Sequence, residues 1–266
     1  MGTKFLALLA LLQQASLPVQ HVRIPEPGGV VLDAALVHPT GPLRAPAVVA
    51  LHGCGGPVPS RDAQWARTLA GQGHIVLLPD SFGSRGLGSQ CRVKQRLVKP
   101  SGARRQDAIA AARWLADQPG TPAGGIVLLG WSNGGGTVLF TADEAPDLPP
   151  GLFSRFVAFY PGCKTEMGSK SWKPAAPLMI LVGANDDWTP AASCEALARK
   201  FPDEITFVAY PGAWHDFDRP DRPVRVLHGL ATPPSGTGAA HAGTNEAARL
   251  DALRRVPAFI AAAVNQ

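Results

Sequence analysis

The chain has 266 residues, of which 45% are hydrophobic and 17% charged, so it can bury a sizeable core and is not intrinsically disordered. Its formal net charge of +5 and its pI near 9.3 suit an anionic partner. The excess charge is local, however, and no nucleic-acid-binding motif accompanies it, so we expect no nucleic-acid partner.

The first 16 residues resemble a short secretory signal peptide. Lys4 precedes the apolar run FLALLALL, and a weak cleavage site follows at QQAS. The run is too short to cross a bilayer and no other stretch approaches that length, so we expect no stable membrane insertion. The sequence therefore divides into a possible signal peptide at 1–16 and a single domain at 17–266. We expect a secreted or periplasmic protein; a buried N-terminal helix in a cytoplasmic protein is the alternative.

Short β-rich runs then alternate with helical patterns. In chain order we predict strands at 21–25 and 30–39, a buried strand at 45–56, a helix at 61–71, a strand at 74–80, a helix at 104–117, a strand at 125–130, a helix from about 133, strands at 155–162 and 177–186, a helix at 190–201, a strand at 204–213 and a helix at 245–264. Segment 219–243 is rich in Pro and Gly and is interpreted as a surface loop. This order predicts an α/β fold with a mostly parallel central sheet and helices on both faces, with ligands bound beyond the carboxyl ends of the strands.

One serine stands at the end of a predicted strand. Residues 126–136 read IVLLGWSNGGG, and Gly130 and Gly134 would permit the tight turn that exposes the Ser132 hydroxyl. A G-x-S-x-G match is common in a chain with 29 glycines, so a polar residue in a glycine-rich turn is the alternative. A serine nucleophile also needs a base, and the base needs an orienting acid.

Both partners follow in the expected order. Asp186 ends the strand PLMILVGAND, and His215 follows the last predicted strand. Asp187 competes with Asp186 as the acid, but the spacing to Pro190 favours Asp186 and leaves Asp187 as a cap or turn residue. Because each residue stands at the carboxyl end of a different strand, the sequence predicts a Ser132, His215 and Asp186 triad.

A second strand end supplies the other requirement of acyl transfer. The transition state carries an oxyanion, and backbone N–H groups must already point towards it. In this fold one donor follows the nucleophile, here Asn133, and the other comes from the loop after the third strand, here Cys54 in LHGCGG. A merely flexible HGCGG turn is the alternative.

The motifs LHGCGG, PDSFGSRG, GWSNGG, GANDDWTP and YPGAWHDFD, in this order, resemble those of the dienelactone hydrolase family of α/β-hydrolases. The resemblance runs from about residue 20 to the end of the chain. It implies an α/β-hydrolase fold and cofactor-independent hydrolysis of a small-molecule ester or lactone, with no metal. Founding members carry cysteine where this chain has Ser132, which moves the expectation from dienelactone itself towards a serine carboxylesterase. Dienelactone hydrolase proper, a peptidase or acyltransferase on the same fold, and a non-catalytic binding protein remain as alternatives.

Four further residues are candidates for substrate binding. Trp131, Trp188 and Trp214 flank the triad residues in sequence and either wall an acyl or alcohol pocket or pack beneath the strand ends. Arg85 matches in position the arginine with which the family binds a substrate carboxylate, with a structural arginine as the alternative. The acid-free segment 81–106 that contains Arg85 is either a solvated loop entering a helix or an anion-attracting patch.

The four cysteines are predicted to pair as Cys54–Cys91 and Cys163–Cys194. In the α/β-hydrolase topology the third and fourth strands are neighbours, as are the sixth and seventh, and the members of each pair follow neighbouring strands. Both bridges would lie on the active-site side of the sheet. Such bridges fit an oxidising compartment; four reduced thiols in a cytosolic protein are the alternative. No spacing typical of a zinc site is present.

Overall fold

The computed structural model describes residues 18–262 except 45 and 146. The possible signal peptide at 1–16 lies outside these residues. The strands are β1 (Val19–Pro25), β2 (Val31–Val37), β3 (Ala47–Leu51), β4 (Val76–Pro79), β5 (Ile126–Trp131), β6 (Phe153–Phe159), β7 (Leu178–Gly183), β8 (Ile205–Tyr210), β9 (Arg225–Leu227) and β10 (Ala240–Ala242). The helices are α1 (Pro59–Ala70), α2 (Ala103–Ala116), α3 (Asn133–Ala142), α4 (Lys164–Gly168), α5 (Ala191–Lys200) and α6 (Glu246–Ala261).

Eight strands form one sheet in the order β1-β2-β4-β3-β5-β6-β7-β8. The pairs β1–β2 and β2–β4 are antiparallel, and all later neighbours are parallel. The predicted mostly parallel sheet of an α/β-hydrolase fold is therefore confirmed, with an antiparallel edge made by the two leading strands. Parallel strands place their carboxyl ends at one edge of the sheet, which is where the candidate residues lie.

Both faces of the sheet are covered, which explains why its central strands are uninterrupted apolar runs. In β3 every residue is buried, with Val49 packing on the side of α2, α3 and α5 and Val48 on the side of α1 and α6. The alternation follows from the two-residue repeat of a strand. Two apolar layers thus hold the strand ends in fixed relative positions.

Segment 219–243, predicted as a plain surface loop, contains a small antiparallel sheet. Strands β9 and β10 pair over three residues each, and Ala242 of β10 forms a parallel bridge with His215. The short helix α4 is a second difference from the prediction. Strands of three residues and helices of five are shorter than the windows in which a hydrophobic period can be recognised.

The structure pairs Cys54 with Cys91 and Cys163 with Cys194, as the topology predicts. No helix in the described part of the chain combines the length and the apolar character needed to cross a membrane. Two disulfides are typical of proteins from the periplasm or the cell exterior.

Candidate active site

The turn between β5 and α3 holds Ser132 in a strained conformation. Ser132 has a backbone φ of 53°, in the left-handed region that residues other than glycine rarely adopt. A Cβ at Gly130 would lie 2.4 Å from the Gly134 carbonyl oxygen, and one at Gly134 would lie 2.2 Å from that of Leu51. Only glycine fits at these two positions. The G-x-S-x-G pattern is therefore required by the packing of the turn.

Three side chains from three strand ends form a continuous hydrogen-bonded chain. Ser132 Oγ lies 2.9 Å from His215 Nε2, and His215 Nδ1 lies 2.7 Å from Asp186 Oδ2. His215 and Asp186 are buried, whereas Ser132 is partly exposed. In this arrangement His215 can accept the serine proton at Nε2 while Nδ1–H donates to the carboxylate.

The carboxylate of Asp186 is fixed by the turn that follows β7. Its Oδ1 accepts hydrogen bonds from the backbone N–H of Trp188 at 2.9 Å and of Thr189 at 2.8 Å, and its Oδ2 accepts from His215 Nδ1 and from the Thr189 hydroxyl, the latter at 3.0 Å. Asp187 instead accepts two hydrogen bonds from His241, at its backbone N and its Nδ1, both 2.8 Å long. Only Asp186 of the two adjacent acids contacts His215.

The imidazole of His215 is enclosed by aromatic rings and charged neighbours. Tyr160 and Trp188 lie 4.5 and 4.7 Å from it between ring centroids. Burial acts to lower the pKa of His215, but the charge and hydrogen bond of Asp186 and the charge of Asp216 together outweigh it. The pKa therefore lies above the usual histidine value.

A buried acid behind the triad was not predicted from the sequence. Asp218 accepts hydrogen bonds from Trp65 Nε1 at 2.7 Å, Trp131 Nε1 at 2.8 Å and the Tyr160 hydroxyl at 2.6 Å. It fixes Tyr160, whose ring packs on His215. In the motif HDFD nothing distinguishes Asp218 from an ordinary loop acid, because its partners Trp65, Trp131 and Tyr160 are distant in sequence.

The loop after β3 runs directly beside the nucleophile. A Cβ at Gly53 would lie 3.5 Å from Ser132 Cβ. Cys54, next along this loop, and Asn133, the first residue of α3, both line a cavity of about 160 Å³ with Ser132. The N–H of the first helical residue has no acceptor within its helix, so the Asn133 N–H can serve a ligand.

The remaining lining of this cavity is mainly apolar. Of the three candidate tryptophans Trp188 contributes to it, together with Arg96, Pro100, Gly136, Phe140, Gly162, Thr189 and Thr232. Thr232 belongs to the segment between β9 and β10, and Trp188 Nε1 lies 3.4 Å from its hydroxyl. The supposed surface loop thus closes one side of the cavity.

Two of the three candidate tryptophans do not line the cavity beside Ser132. Trp131 is fully buried in the core on the α1 and α6 side, packed under the Arg61 guanidinium 4.4 Å from its ring. Trp214 stacks on His241, with 4.3 Å between ring centroids, and does not line the Ser132 cavity. Neighbours along a strand point to opposite faces, so proximity in sequence to a triad residue does not place a side chain in the pocket.

The structure also corrects the interpretation of Arg85 and of the basic segment. Arg85 forms a bidentate ion pair with the buried Asp107 at 2.8 and 2.9 Å and does not line the cavity. Within segment 81–106, Arg92, Lys94 and Lys99 are exposed, whereas Arg104 is fully buried and Arg96 lines the cavity. The segment is therefore neither a uniformly solvated loop nor a single surface patch.

Comparison with known proteins identifies the family and the fold of the chain. The sequence model of the dienelactone hydrolase family matches residues 32–264. A Klebsiella pneumoniae protein provisionally named a dienelactone hydrolase superposes with a TM-score of 0.68 at 21% identity, covering 92% of this chain and 98% of its own. An esterase from Pyrobaculum calidifontis gives 0.67 at 19% identity, covering 93% and 85%.

A dienelactone hydrolase from Anabaena variabilis gives a TM-score of 0.60 at 23% identity, covering 77% of this chain and 91% of its own. At these identities the superpositions establish a shared fold, and the family match extends from β2 to the last helix. The chain therefore belongs to the dienelactone hydrolase family, and with it to the hydrolases of the α/β-hydrolase fold.

Proposed function

We propose that this protein hydrolyses carboxylic esters or lactones through an acyl-enzyme on Ser132. The observation that carries the proposal is the hydrogen-bonded chain from Ser132 Oγ through His215 to Asp186, with distances of 2.9 and 2.7 Å. These distances are those of a nucleophile within reach of its base and of a base held by its acid. A binding protein would need none of these contacts.

In the proposed reaction Ser132 Oγ attacks the ester carbonyl while His215 Nε2 removes its proton. The resulting oxyanion accepts hydrogen bonds from the backbone N–H groups of Asn133 and Cys54. His215 then donates its proton to the departing alkoxide, and the acyl group remains on Ser132. A water molecule, deprotonated by the same Nε2, hydrolyses the acyl-enzyme and restores the serine. Asp186 stabilises the imidazolium in both halves of the reaction.

The cavity favours a small substrate. Its volume of about 160 Å³ lies below the range of roughly 300–1,000 Å³ found for pockets that enclose drug-sized ligands. Trp188 and Phe140 give it apolar walls. We therefore propose short acyl groups, with acetate and butyrate esters hydrolysed faster than long-chain esters.

Two experiments test the proposal. A fluorophosphonate probe should label the purified protein at Ser132, identified by peptide mapping, and Ser132→Ala should not be labelled. A panel of p-nitrophenyl esters, lactones, dienelactone and peptide anilides, with and without an added alcohol acceptor, then separates the reaction classes. Turnover of anilides alone would favour a peptidase, and ester formation with the acceptor would favour an acyltransferase. Absence of labelling would contradict the whole assignment.

We also propose that the chain is exported and that segment 1–16 is removed. The Lys4-led apolar run and the two disulfides support this. N-terminal sequencing of the protein recovered from the periplasm or medium of a bacterial host tests it. An N terminus at or near residue 17 is expected, and retention of Met1 in the cytoplasm would contradict it.

A further inference from the structure

A buried arginine connects the two segments that carry the proposed oxyanion donors. Arg104, in the first turn of α2, is fully buried. Its Nη1 donates to Asn133 Oδ1 at 2.6 Å, and its Nη2 donates to the backbone carbonyl of His52 at 2.8 Å. Asn133 carries one donor N–H itself, and His52 stands two residues before Cys54, which carries the other. One rigid guanidinium therefore contacts both segments that carry the proposed oxyanion donors.

Burying this cation is costly for the fold. Within residues 18–262, positions 45 and 146 aside, no carboxylate forms a salt bridge with Arg104, and the nearby Asp107 pairs with Arg85 instead. Burial lowers the pKa of Arg104 to about 9, so the guanidinium still carries its charge at neutral pH. A buried cation without a carboxylate partner stabilises a fold poorly compared with an apolar side chain of similar size. Packing alone does not account for an arginine here.

The loop that Arg104 holds has a flexible sequence. His52 is followed by Gly-Cys-Gly-Gly, and Cys54 is held by its disulfide with Cys91 and by a hydrogen bond of 2.7 Å from the Gln90 N–H to its carbonyl. His52 itself is fixed by its ring, whose Nε2 accepts a hydrogen bond from the Ser81 N–H at 3.1 Å. Oxyanion donors must lie within about 2.7–3.1 Å of the developing charge, and a displacement of about 1 Å costs on the order of 100-fold in rate. A direct contact between this loop and the β5–α3 turn that carries Ser132 would maintain that spacing.

We propose that Arg104 is a positioning residue that sets the distance between the Cys54 and Asn133 N–H groups. The inference rests on the proposed acyl-transfer function. Arg104 acts through the His52 carbonyl and the Asn133 amide, without touching the substrate. It therefore affects the stabilisation of the tetrahedral oxyanion more than the binding of the uncharged ester.

The test is Arg104→Met, with rates expressed per Ser132 titrated by the fluorophosphonate probe so that misfolded protein is not counted. We expect kcat for p-nitrophenyl acetate to fall about 10- to 100-fold, less than or comparable to the loss of one oxyanion donor. KM should change by less than about 3-fold. The Ki of a trifluoromethyl ketone, whose adduct carries the oxyanion, should rise by the same factor as kcat falls.

Two further variants complete the design. Arg155→Met removes another buried arginine, stacked 4.9 Å over Phe259 and without contact to the site, and should leave kcat and Ki unchanged. Asn133→Ala removes one of the two Arg104 contacts at a partly exposed residue, and should lower kcat and raise Ki by a smaller factor than Arg104→Met does. It also provides the measurement if Arg104→Met does not fold.

An unchanged kcat per titrated site in both Arg104→Met and Asn133→Ala would overturn the proposal. So would a fall in kcat without a matching rise in the Ki of the ketone, or an equal loss in Arg155→Met. These outcomes are distinct from failure of the proposed function, which would appear as full esterase activity in Ser132→Ala.

Discussion

At the scale of single residues, two adjacent acids have separate partners. Asp186 bonds to His215 and to the turn that follows it, whereas Asp187 holds His241 of β10. The Asp187–His241 pair is about two-fifths exposed on each side, so it is worth little energetically. The pair of acids therefore offers an internal control for the role of the triad acid.

Asp186→Asn should lower kcat by about 10⁴-fold, because an amide cannot hold His215 in the tautomer that accepts the serine proton. Asp187→Asn changes the neighbouring side chain in the same way but leaves His215 bound, and should lower kcat by less than about 3-fold. Steady-state kinetics of the two purified variants with p-nitrophenyl acetate compare them. Equal losses in both would mean that Asp186 has no special role.

The pH profile should reflect the charge on His215. Only the neutral imidazole accepts the serine proton, and the pKa of His215 is raised above its usual value of 6.5 by Asp186 despite burial. Activity is therefore lost as pH falls through that raised pKa, and the enzyme should work best at neutral to alkaline pH. Measurement of kcat/KM from pH 5 to 9 tests this, and a rate that increases towards pH 5 would argue against His215 as the base.

At the scale of secondary structure elements, helix α4 carries an unpartnered acid. Glu166 is buried, and neither carboxylate oxygen has a hydrogen-bond partner among the described residues. Burial, with a smaller contribution from the charge of Asp143, raises the pKa of Glu166 to about 7 from an ordinary value of 4.5. The folded protein therefore binds this proton more tightly than the unfolded chain does.

The sign of the effect on stability follows from linkage. A raised carboxyl pKa favours the fold below about pH 4.5, and this contribution is lost as pH rises to about 7. Glu166→Gln should therefore increase the free energy of unfolding at pH 8 relative to wild type, by about 3 kcal/mol, with little change at pH 4.5. Urea denaturation at both pH values measures it. Glu195→Gln, at an exposed residue of α5, is the matched control, and equal effects of both variants would contradict the account.

The two disulfides should have different consequences. Each closes a loop of 37 or 31 residues, and its removal by a Cys-to-Ser pair should cost about 2–4 kcal/mol of unfolding free energy. Removal of Cys54–Cys91 should in addition lower kcat, because Cys54 lies on the loop beside Ser132.

Thiol titration of the denatured, unreduced protein should find no free thiols. Four titratable thiols, or crossed pairs in peptide maps, would contradict the pairing.

At the scale of the whole molecule, the succession of strands and helices was predictable because each of these elements spans a long hydrophobic pattern. Buried runs such as 126–131 and the glycines around Ser132 predict both the strand and the turn that ends it. The order of strand ends then brings Ser132, Asp186 and His215 together without any knowledge of distances. Patterns that span a complete element therefore predicted which three side chains would lie together.

What could not be predicted depends on the direction of individual side chains. Trp131 and Ser132 are neighbours in sequence, yet Trp131 faces the core beneath the site. Arg85 and Arg104 belong to one basic segment, yet they have different partners. Arg85 pairs with the carboxylate of Asp107, whereas Arg104 donates to the side-chain oxygen of Asn133 and the backbone carbonyl of His52. Contacts between residues distant in sequence produce no periodic pattern along the chain. The contacts made by Arg104 and by Asp218 are therefore evident only from the structure.

The central claim is that Ser132 forms an acyl-enzyme with His215 and Asp186, and Ser132→Ala tests it most directly. The variant removes one oxygen at a partly exposed residue, so the fold should be retained, which circular dichroism and thermal unfolding can verify. With p-nitrophenyl acetate we expect kcat to fall by several orders of magnitude, on the order of 10⁶-fold. Turnover within about 10-fold of wild type in a folded Ser132→Ala protein would contradict the account.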